Sequence, residues 1–142
     1  MSQIVIGIES TAHTAGVGII TSEGEILSNQ RSVYIPEEGG IHPREAANHH
    51  SVNLPGLFKA ALKEAKLQPK DISLVAYARG PGLGPCLRTG ATAARAFAYS
   101  NDIPLLGVNH CVAHLEIGIL EGATDPVLLY LSGANTQVIA YA

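Results

Sequence analysis

Two histidines four residues apart, His110 and His114, stand at the start of a segment that the sequence predicts to be helical. Residues at i and i+4 project from the same face of a helix, so two imidazoles at this spacing can bind one ion. Zinc and iron sites need at least a third protein ligand from elsewhere in the fold. On spacing alone such a pair more often fills a helix face, and a metal site therefore needs support from a second feature.

The same spacing occurs in the metalloprotease motif H-E-x-x-H, in which a Glu directly follows the first His and acts as the general base. Here Cys111 occupies that position. Peptidase chemistry by that route is therefore disfavoured.

Three loops at predicted strand ends have residues that suit phosphate binding. They are "ESTAHT" from Glu9, the glycine-rich "GPGLGP" at 80–85, and "YLSGANTQ" at 130–137, where backbone N–H groups and the Ser132 and Thr136 hydroxyls can cradle a phosphate. The glycine-rich loop is neither G-x-G-x-x-G nor a Walker A sequence, because no Gly-Lys-Ser/Thr follows. Each loop alone is more often an ordinary turn, but open α/β sheets bind ligands at strand ends, so together they predict a nucleotide site.

A second pair of imidazoles, on the adjacent His49 and His50, diverges by about 100° on a helix and cannot easily share an ion. We interpret these two histidines as surface residues or as residues behind the ligands of a site.

The elements that must position these residues follow from hydrophobic periodicity. Apolar alternation predicts strands at 4–10, 16–21, 25–35, 72–78, 104–108, 126–132 and 137–142. Helices are predicted from Arg44 to Ala65, with a kink or restart at Pro55 and Gly56, over 88–100, and at the histidine pair. An antiparallel hairpin followed by alternating strands and helices indicates a mixed α/β sheet with helices on its faces.

Composition narrows the class of protein. The chain has 142 residues, 46% of them apolar, and a formal net charge of −3, which suits one globular domain and argues against a self-sufficient nucleic-acid binder. Cys86 and Cys111 form no disulfide framework and suit a reducing compartment. No run of eighteen apolar residues appears, so we expect a cytoplasmic protein with no membrane segment. The sequence stops inside an apolar strand, which we interpret as a truncation.

Five segments in chain order, "ESTAHT", "HPREAANHH", "GPGLGPCLR", "GVNHCVAH" and "LYLSGANTQVIAY", resemble the tRNA N6-adenosine threonylcarbamoyltransferase family in its archaeal and eukaryotic form. Members of this form are the catalytic subunit of the KEOPS complex and are related to bacterial TsaD; the family was formerly called O-sialoglycoprotein endopeptidase. The resemblance covers essentially the whole chain. It implies an actin-like, sugar-kinase-like (ribonuclease H-like) fold of two lobes, with residues 1–142 as the N-terminal lobe and the C-terminal lobe absent.

The activity that the resemblance implies is transfer of a threonylcarbamoyl group from threonylcarbamoyl-adenylate to N6 of adenosine 37, in tRNAs that read codons starting with A. ATP or threonylcarbamoyl-adenylate is the expected nucleotide ligand. The expected partners are the small dimerising subunit and the small kinase subunit of KEOPS, with tRNA bound through the complex. Two alternatives stay open: a non-catalytic lobe that binds KEOPS partners, and an ATP-dependent kinase or chaperone lobe of the same superfamily.

The resemblance also assigns site residues. By motif, His110, His114 and Tyr130 match the family's ligands for one divalent ion, iron or zinc, whereas a fourth ligand, an Asp of the C-terminal lobe, has no counterpart here. Glu9 and His13 are expected catalytic residues behind the ligands. Ala134 replaces the second Gly of the family's S-G-G-N-T segment, and its methyl group restricts positive φ. The expected substrate-contacting residues are Tyr130, Leu131, Ser132, Gly133, Ala134, Asn135 and Thr136.

Overall fold

A computed structural model describes residues 2–132 and 135–141. The elements in chain order are β1 (Ile4–Glu9), β2 (Thr14–Thr21), β3 (Ile26–Val33), α1 (Pro43–Ala65), a 3-10 turn (Pro69–Asp71), β4 (Leu74–Gly80), α2 (Gly84–Ser100), β5 (Leu105–Asn109), α3 (His110–Leu120), β6 (Leu128–Ser132) and β7 (Asn135–Ile139). The predicted mixed α/β class is confirmed.

Five strands form one sheet in the order β3-β2-β1-β4-β5. The first three strands pair antiparallel, while β1 pairs with β4 and β4 with β5 in parallel. Parallel pairing brings the carboxyl ends of β1, β4 and β5, at Glu9, Gly80 and Asn109, to the same edge of the sheet. This edge is where open α/β sheets bind ligands.

Helices α1 and α2 cover one face of this sheet. Alternate strand residues such as Ile6, Val17 and Ile19 are buried against them, and Phe58 of α1 stacks on Phe97 of α2 with 4.9 Å between ring centroids. The opposite face of β1 and β2 presents Gly7 and Gly16, which line a shallow depression together with Ala113 of α3. Helices therefore lie on both faces, as predicted, and α3 meets the sheet at its carboxyl edge.

Helix α1 is continuous from Pro43 to Ala65, so the predicted restart at Pro55 is wrong. Pro55 and Gly56 are exposed, whereas Leu54 and Phe58 on either side of them are buried. The backbone carbonyl that loses its partner to Pro55 is that of Ser51, which also lies on the exposed side where water can bind it. The apolar face of the helix is thereby left intact.

Strands β6 and β7 form a separate two-stranded antiparallel sheet. The sequence predicted them as part of the strand series of a single mixed sheet, but the 11-residue helix α3 intervenes after β5 and carries the chain away from that edge. Among the described residues both cysteines are free and buried, and no helix is long and apolar enough to cross a membrane.

Candidate metal centre

Helix α3 begins directly at the carboxyl end of β5. The side-chain oxygen of Asn109 accepts hydrogen bonds from the backbone N–H groups of Cys111, at 2.9 Å, and Val112, at 3.3 Å. An N-cap of this kind satisfies donors that the first helical turn leaves unpaired. His110 is consequently held as the first residue of the helix, at the edge where the parallel strands end.

The imidazoles of His110 and His114 converge. Their Nε2 atoms are 3.2 Å apart, and their ring centroids 4.6 Å. Two nitrogens bound to one tetrahedral zinc at its usual bond length lie about 3.3 Å apart. Burial, and then the nearby charge of His110, lower the pKa of His114, which favours the neutral imidazole that metals bind.

A phenol ring lies close to the two imidazoles. The ring of Tyr130 on β6 lies 6.0 Å from that of His110 and 5.7 Å from that of His114, measured between centroids. No cluster of three His, Cys, Asp or Glu side chains occurs in the described ranges, and the Tyr130 phenol is an oxygen donor close to the two imidazoles. Two converging imidazoles beside a phenol fit a divalent transition metal.

Glu9 orients the first of these histidines. Its Oε2 lies 3.2 Å from Nδ1 of His110. Because an ionised carboxylate only accepts hydrogen bonds, Nδ1 carries the proton, and Nε2 of the neutral ring presents its lone pair towards His114. A carboxylate behind a histidine in this way is the usual arrangement at metal sites.

The second oxygen of Glu9 is also engaged. Oε1 accepts hydrogen bonds from the backbone N–H of Thr11, at 2.6 Å, and from the Thr11 hydroxyl. Burial of Glu9 raises its pKa, but the hydrogen bonds from His110 and Thr11 together outweigh that effect, so the pKa lies below the ordinary value of a glutamate. Glu9 is therefore a carboxylate at neutral pH.

The loop that follows Glu9 packs closely against the glycine-rich loop. Leu83 donates its backbone N–H to the Thr11 carbonyl at 2.7 Å. A Cβ atom on Gly82 would stand 2.6 Å from that carbonyl oxygen, so only glycine fits. Two of the three loops that suggested a nucleotide site thus meet at the carboxyl edge of the sheet.

The remaining expected residues lie further out. His13 is exposed, and its carbonyl accepts the Tyr34 N–H at 2.8 Å, but its side chain makes no hydrogen bond within the described part of the chain. Leu131, Ser132 and Thr136 are exposed near the ends of β6 and β7, where Ser132 pairs with Asn135. Gly133 and Ala134 lie outside the described residues, and the effect of Ala134 stays a prediction.

Sequence reasoning missed the burial of His50. Its side chain is 0% exposed, and its Nε2 donates to the Ala12 carbonyl at 2.8 Å, so the surface interpretation is wrong for this residue. A signal was present, because His50 lies four and eight residues before the buried Leu54 and Phe58 and therefore shares their helix face.

Solved structures with the same architecture define the fold class. YeaZ from Pseudomonas aeruginosa matches with a TM-score of 0.59 at 18% identity, covering 75% of this chain and 43% of its own. RuvC of Thermus thermophilus, solved with a Holliday junction substrate, matches with a TM-score of 0.50 at 16% identity, covering 84% and 79%. The chain has the ribonuclease H-like, actin-like fold that the resemblance implied.

Sequence relatives identify the family within that class. Residues 24–142 match the family described as TsaD, tRNA N6-adenosine threonylcarbamoyltransferase, and the chain belongs to this family. A tRNA N6-adenosine threonylcarbamoyltransferase of Methanopyrus kandleri is 59% identical across 96% of this chain and 42% of its own length. A probable bifunctional tRNA threonylcarbamoyladenosine biosynthesis protein of Methanothermobacter thermautotrophicus is 55% identical across 97% and 26%. The chain thus spans less than half the length of these relatives.

Proposed function

We propose that this chain is the metal-binding, N-terminal lobe of an enzyme that transfers threonylcarbamoyl from threonylcarbamoyl-adenylate to N6 of adenosine 37 in tRNAs reading codons that start with A. The observation that carries the proposal is the convergence of His110 and His114, with the Tyr130 ring beside them, at the carboxyl edge of the sheet in a chain of this family.

His110, His114 and Tyr130 would hold one divalent iron or zinc ion. Such an ion supplies Lewis acidity that polarises a carbonyl and a template that aligns the reactants. This matters because the exocyclic amine of adenosine is a poor nucleophile and the carbamoyl carbonyl has to be held in line with it.

Other residues of the lobe would orient the metal ligands and bind the adenylate. Glu9 keeps the His110 ring in the tautomer whose Nε2 lone pair is available. Ser132, Gly133 and Thr136 would donate N–H and hydroxyl hydrogen bonds to the adenylate phosphate. We assign no general base for the adenosine amine within this lobe.

The net negative charge of the chain, as well as its family, suggests that it binds tRNA together with partner subunits. A formal charge of −3 with dispersed Lys and Arg provides little binding of RNA by itself. We therefore propose that tRNA binds through a KEOPS assembly with the small dimerising and small kinase subunits, in the cytoplasm.

The proposal is tested by metal content and by transfer. Elemental analysis with native mass spectrometry of the purified chain should find one iron or zinc per chain, reduced at least tenfold in His110→Ala and His114→Ala. His42→Ala is the matched control, because His42 is exposed just before α1 and its side chain does not cap that helix.

The same variants belong in a full-length polypeptide that carries this sequence, assayed for transfer from threonylcarbamoyl-adenylate to tRNA. We expect His110→Ala and His114→Ala to abolish transfer and His42→Ala to retain it. Unchanged transfer in the first two would contradict the metal assignment.

The alternative is a non-catalytic lobe that binds KEOPS partners. It is favoured by the ligand set of the described residues, which adds no third His, Cys, Asp or Glu ligand to the two histidines. Under this alternative the chain binds the small subunits with equal affinity in wild type and His110→Ala, and it holds no metal in either.

A further inference from the structure

A second pair of histidines lies behind the candidate metal centre. His50 of α1 is completely buried, and the neighbouring His49 is half-buried. Their Nδ1 atoms are 3.3 Å apart, and Nε2 of His49 is 3.0 Å from the Ser32 hydroxyl of β3. No third metal-ligating side chain joins them among the described residues, so the pair has no ligand set for an ion of its own.

The partners of these rings fix the direction of every hydrogen bond. The Ala12 carbonyl only accepts, so Nε2 of His50 carries the proton and Nδ1 of the neutral ring is an acceptor. Nδ1 of His49 must then donate to His50, which leaves Nε2 of His49 to accept from the Ser32 hydroxyl. One consistent chain of hydrogen bonds thus runs from β3 through α1 to the loop after β1.

That loop is the one that positions Glu9. Ala12 is adjacent to Thr11, whose N–H and hydroxyl both donate to Glu9, and Glu9 in turn accepts from Nδ1 of His110. The hydrogen bond from His50 holds the loop from the α1 side, while Leu83 holds the Thr11 carbonyl from the α2 side. The two bonds clamp neighbouring peptide groups of the same loop.

We infer that His50, with His49 and Ser32 behind it, is a positioning residue for the metal centre: it holds the Ala12 carbonyl, and through Thr11 and Glu9 it sets the tautomer and direction of His110. The part of this inference that concerns metal affinity rests on the proposed function. The part that concerns the His110 ring rests on the hydrogen bonds alone.

Long-range ¹H–¹⁵N NMR of the histidine rings separates these two parts. At one pH at which His110 is neutral, the wild-type ring should be in the single tautomer protonated at Nδ1. His50→Leu fills the site without a donor, and we expect His110 to become a mixture of tautomers. His50→Gln keeps an N–H donor for the Ala12 carbonyl and should restore the wild-type spectrum.

A Co²⁺ titration followed by visible absorption measures the consequence for metal binding. His50→Leu should weaken the Co²⁺ Kd by about three- to tenfold, less than the 10–100-fold typical of a residue that directly contacts a ligand. The matched control is Phe58→Leu, which alters the same buried face of α1 outside the hydrogen-bond chain. It should lower Tm without changing the Kd or the His110 tautomer.

The outcomes distinguish the two proposals. A wild-type His110 spectrum in His50→Leu overturns the inference, as does an equal change in Phe58→Leu. A changed tautomer in a protein that binds no Co²⁺ supports the inference and contradicts the proposed metal centre. If His50→Leu does not fold, Ser32→Ala is the second variant, because it removes the hydroxyl that donates to His49 at a half-buried position. We expect it to change the His110 tautomer in the same direction as His50→Leu, but by a smaller amount.

Discussion

Glu9 illustrates how single residues define this site. Both of its oxygens are engaged, one by His110 and one by Thr11, and these bonds keep its pKa low although it is half-buried. Its identity as a candidate could be predicted from its place at a strand end. Its contact with His110 could not, because the two residues are far apart in the sequence and meet only through the pairing of β1 with β4 and β4 with β5.

Replacing this carboxylate tests its orienting role. Glu9→Gln keeps the size of the side chain but loses charge and acceptor strength, and we expect the Co²⁺ Kd to weaken by about 10–100-fold. The control is Glu64→Gln, because Glu64, at the C-terminal end of α1, accepts similar hydrogen bonds from Ser28 and Gln30 of β3. An equal loss of affinity in both variants would contradict a specific role for Glu9.

His50 predicts a pH dependence of stability. Burial lowers its pKa, the charges of His49 and His13 lower it further, and the Ala12 carbonyl and Glu9 oppose them. Because the folded-state pKa lies below the unfolded value of about 6.5, the neutral ring stabilises the fold above that pH, and this stability is lost as the pH falls through about 6.5 towards the folded pKa.

The change is measured by urea unfolding at a series of pH values between neutral and mildly acidic. The free energy of unfolding of the wild type should fall more steeply with acidification than that of His50→Gln. Because the two proteins differ by one titrating group, their free energies of unfolding can differ in slope by at most about 1.4 kcal/mol per pH unit. Parallel slopes would show that folding does not lower the pKa of His50.

At the scale of elements, helix α2 lies so close to β1 that a glycine is required between them. A Cβ atom on Gly90 would stand 1.9 Å from the Ser10 hydroxyl oxygen and 2.7 Å from its Cβ. Ser10 is buried at the start of the loop that carries Thr11, and so it cannot move aside into solvent. The Gly and Ala residues between 88 and 100 permit such a close approach, but the sequence does not show which residue it brings near.

Gly90→Ala should therefore destabilise the fold by about 1–3 kcal/mol through overpacking. The matched control is Gly56→Ala, which lies inside α1 with open space around its Cβ position and should stabilise the fold by up to about 1 kcal/mol. Thermal and urea unfolding measure both. A Gly90→Ala protein as stable as wild type would show that α2 can shift away from the sheet.

At the scale of the whole molecule, hydrophobic periodicity predicted the order and type of the elements well, because each strand has a clear face in the core. It predicted the two-stranded sheet of β6 and β7 less well, because an apolar strand looks the same whichever sheet it joins. This sheet exposes three large apolar side chains, between 59% and 72% accessible: Leu129, Leu131 and Val138. Val127, directly before β6, is 67% accessible.

Exposed apolar patches of this kind promote association of an isolated chain. We expect the wild-type chain to bind a dye such as ANS and to self-associate with rising concentration, and the double variant Leu129→Lys with Val138→Lys to do so less. Val52→Lys is the control, since Val52 is 79% exposed on α1 and remote from this sheet. Light scattering measures the self-association, and equal association in the three proteins would contradict the role of the patch.

The contact between Glu9 and His110 cannot form until both residues have been synthesised. A ribosome makes Glu9 first and reaches His110 only 101 residues later (110 − 9 = 101), which at about 5–20 residues per second takes roughly 5 to 20 seconds. During that interval the nascent chain holds the orienting carboxylate and its loop but neither imidazole. The contact that orients the His110 ring therefore forms only after strands β4 and β5 have been made.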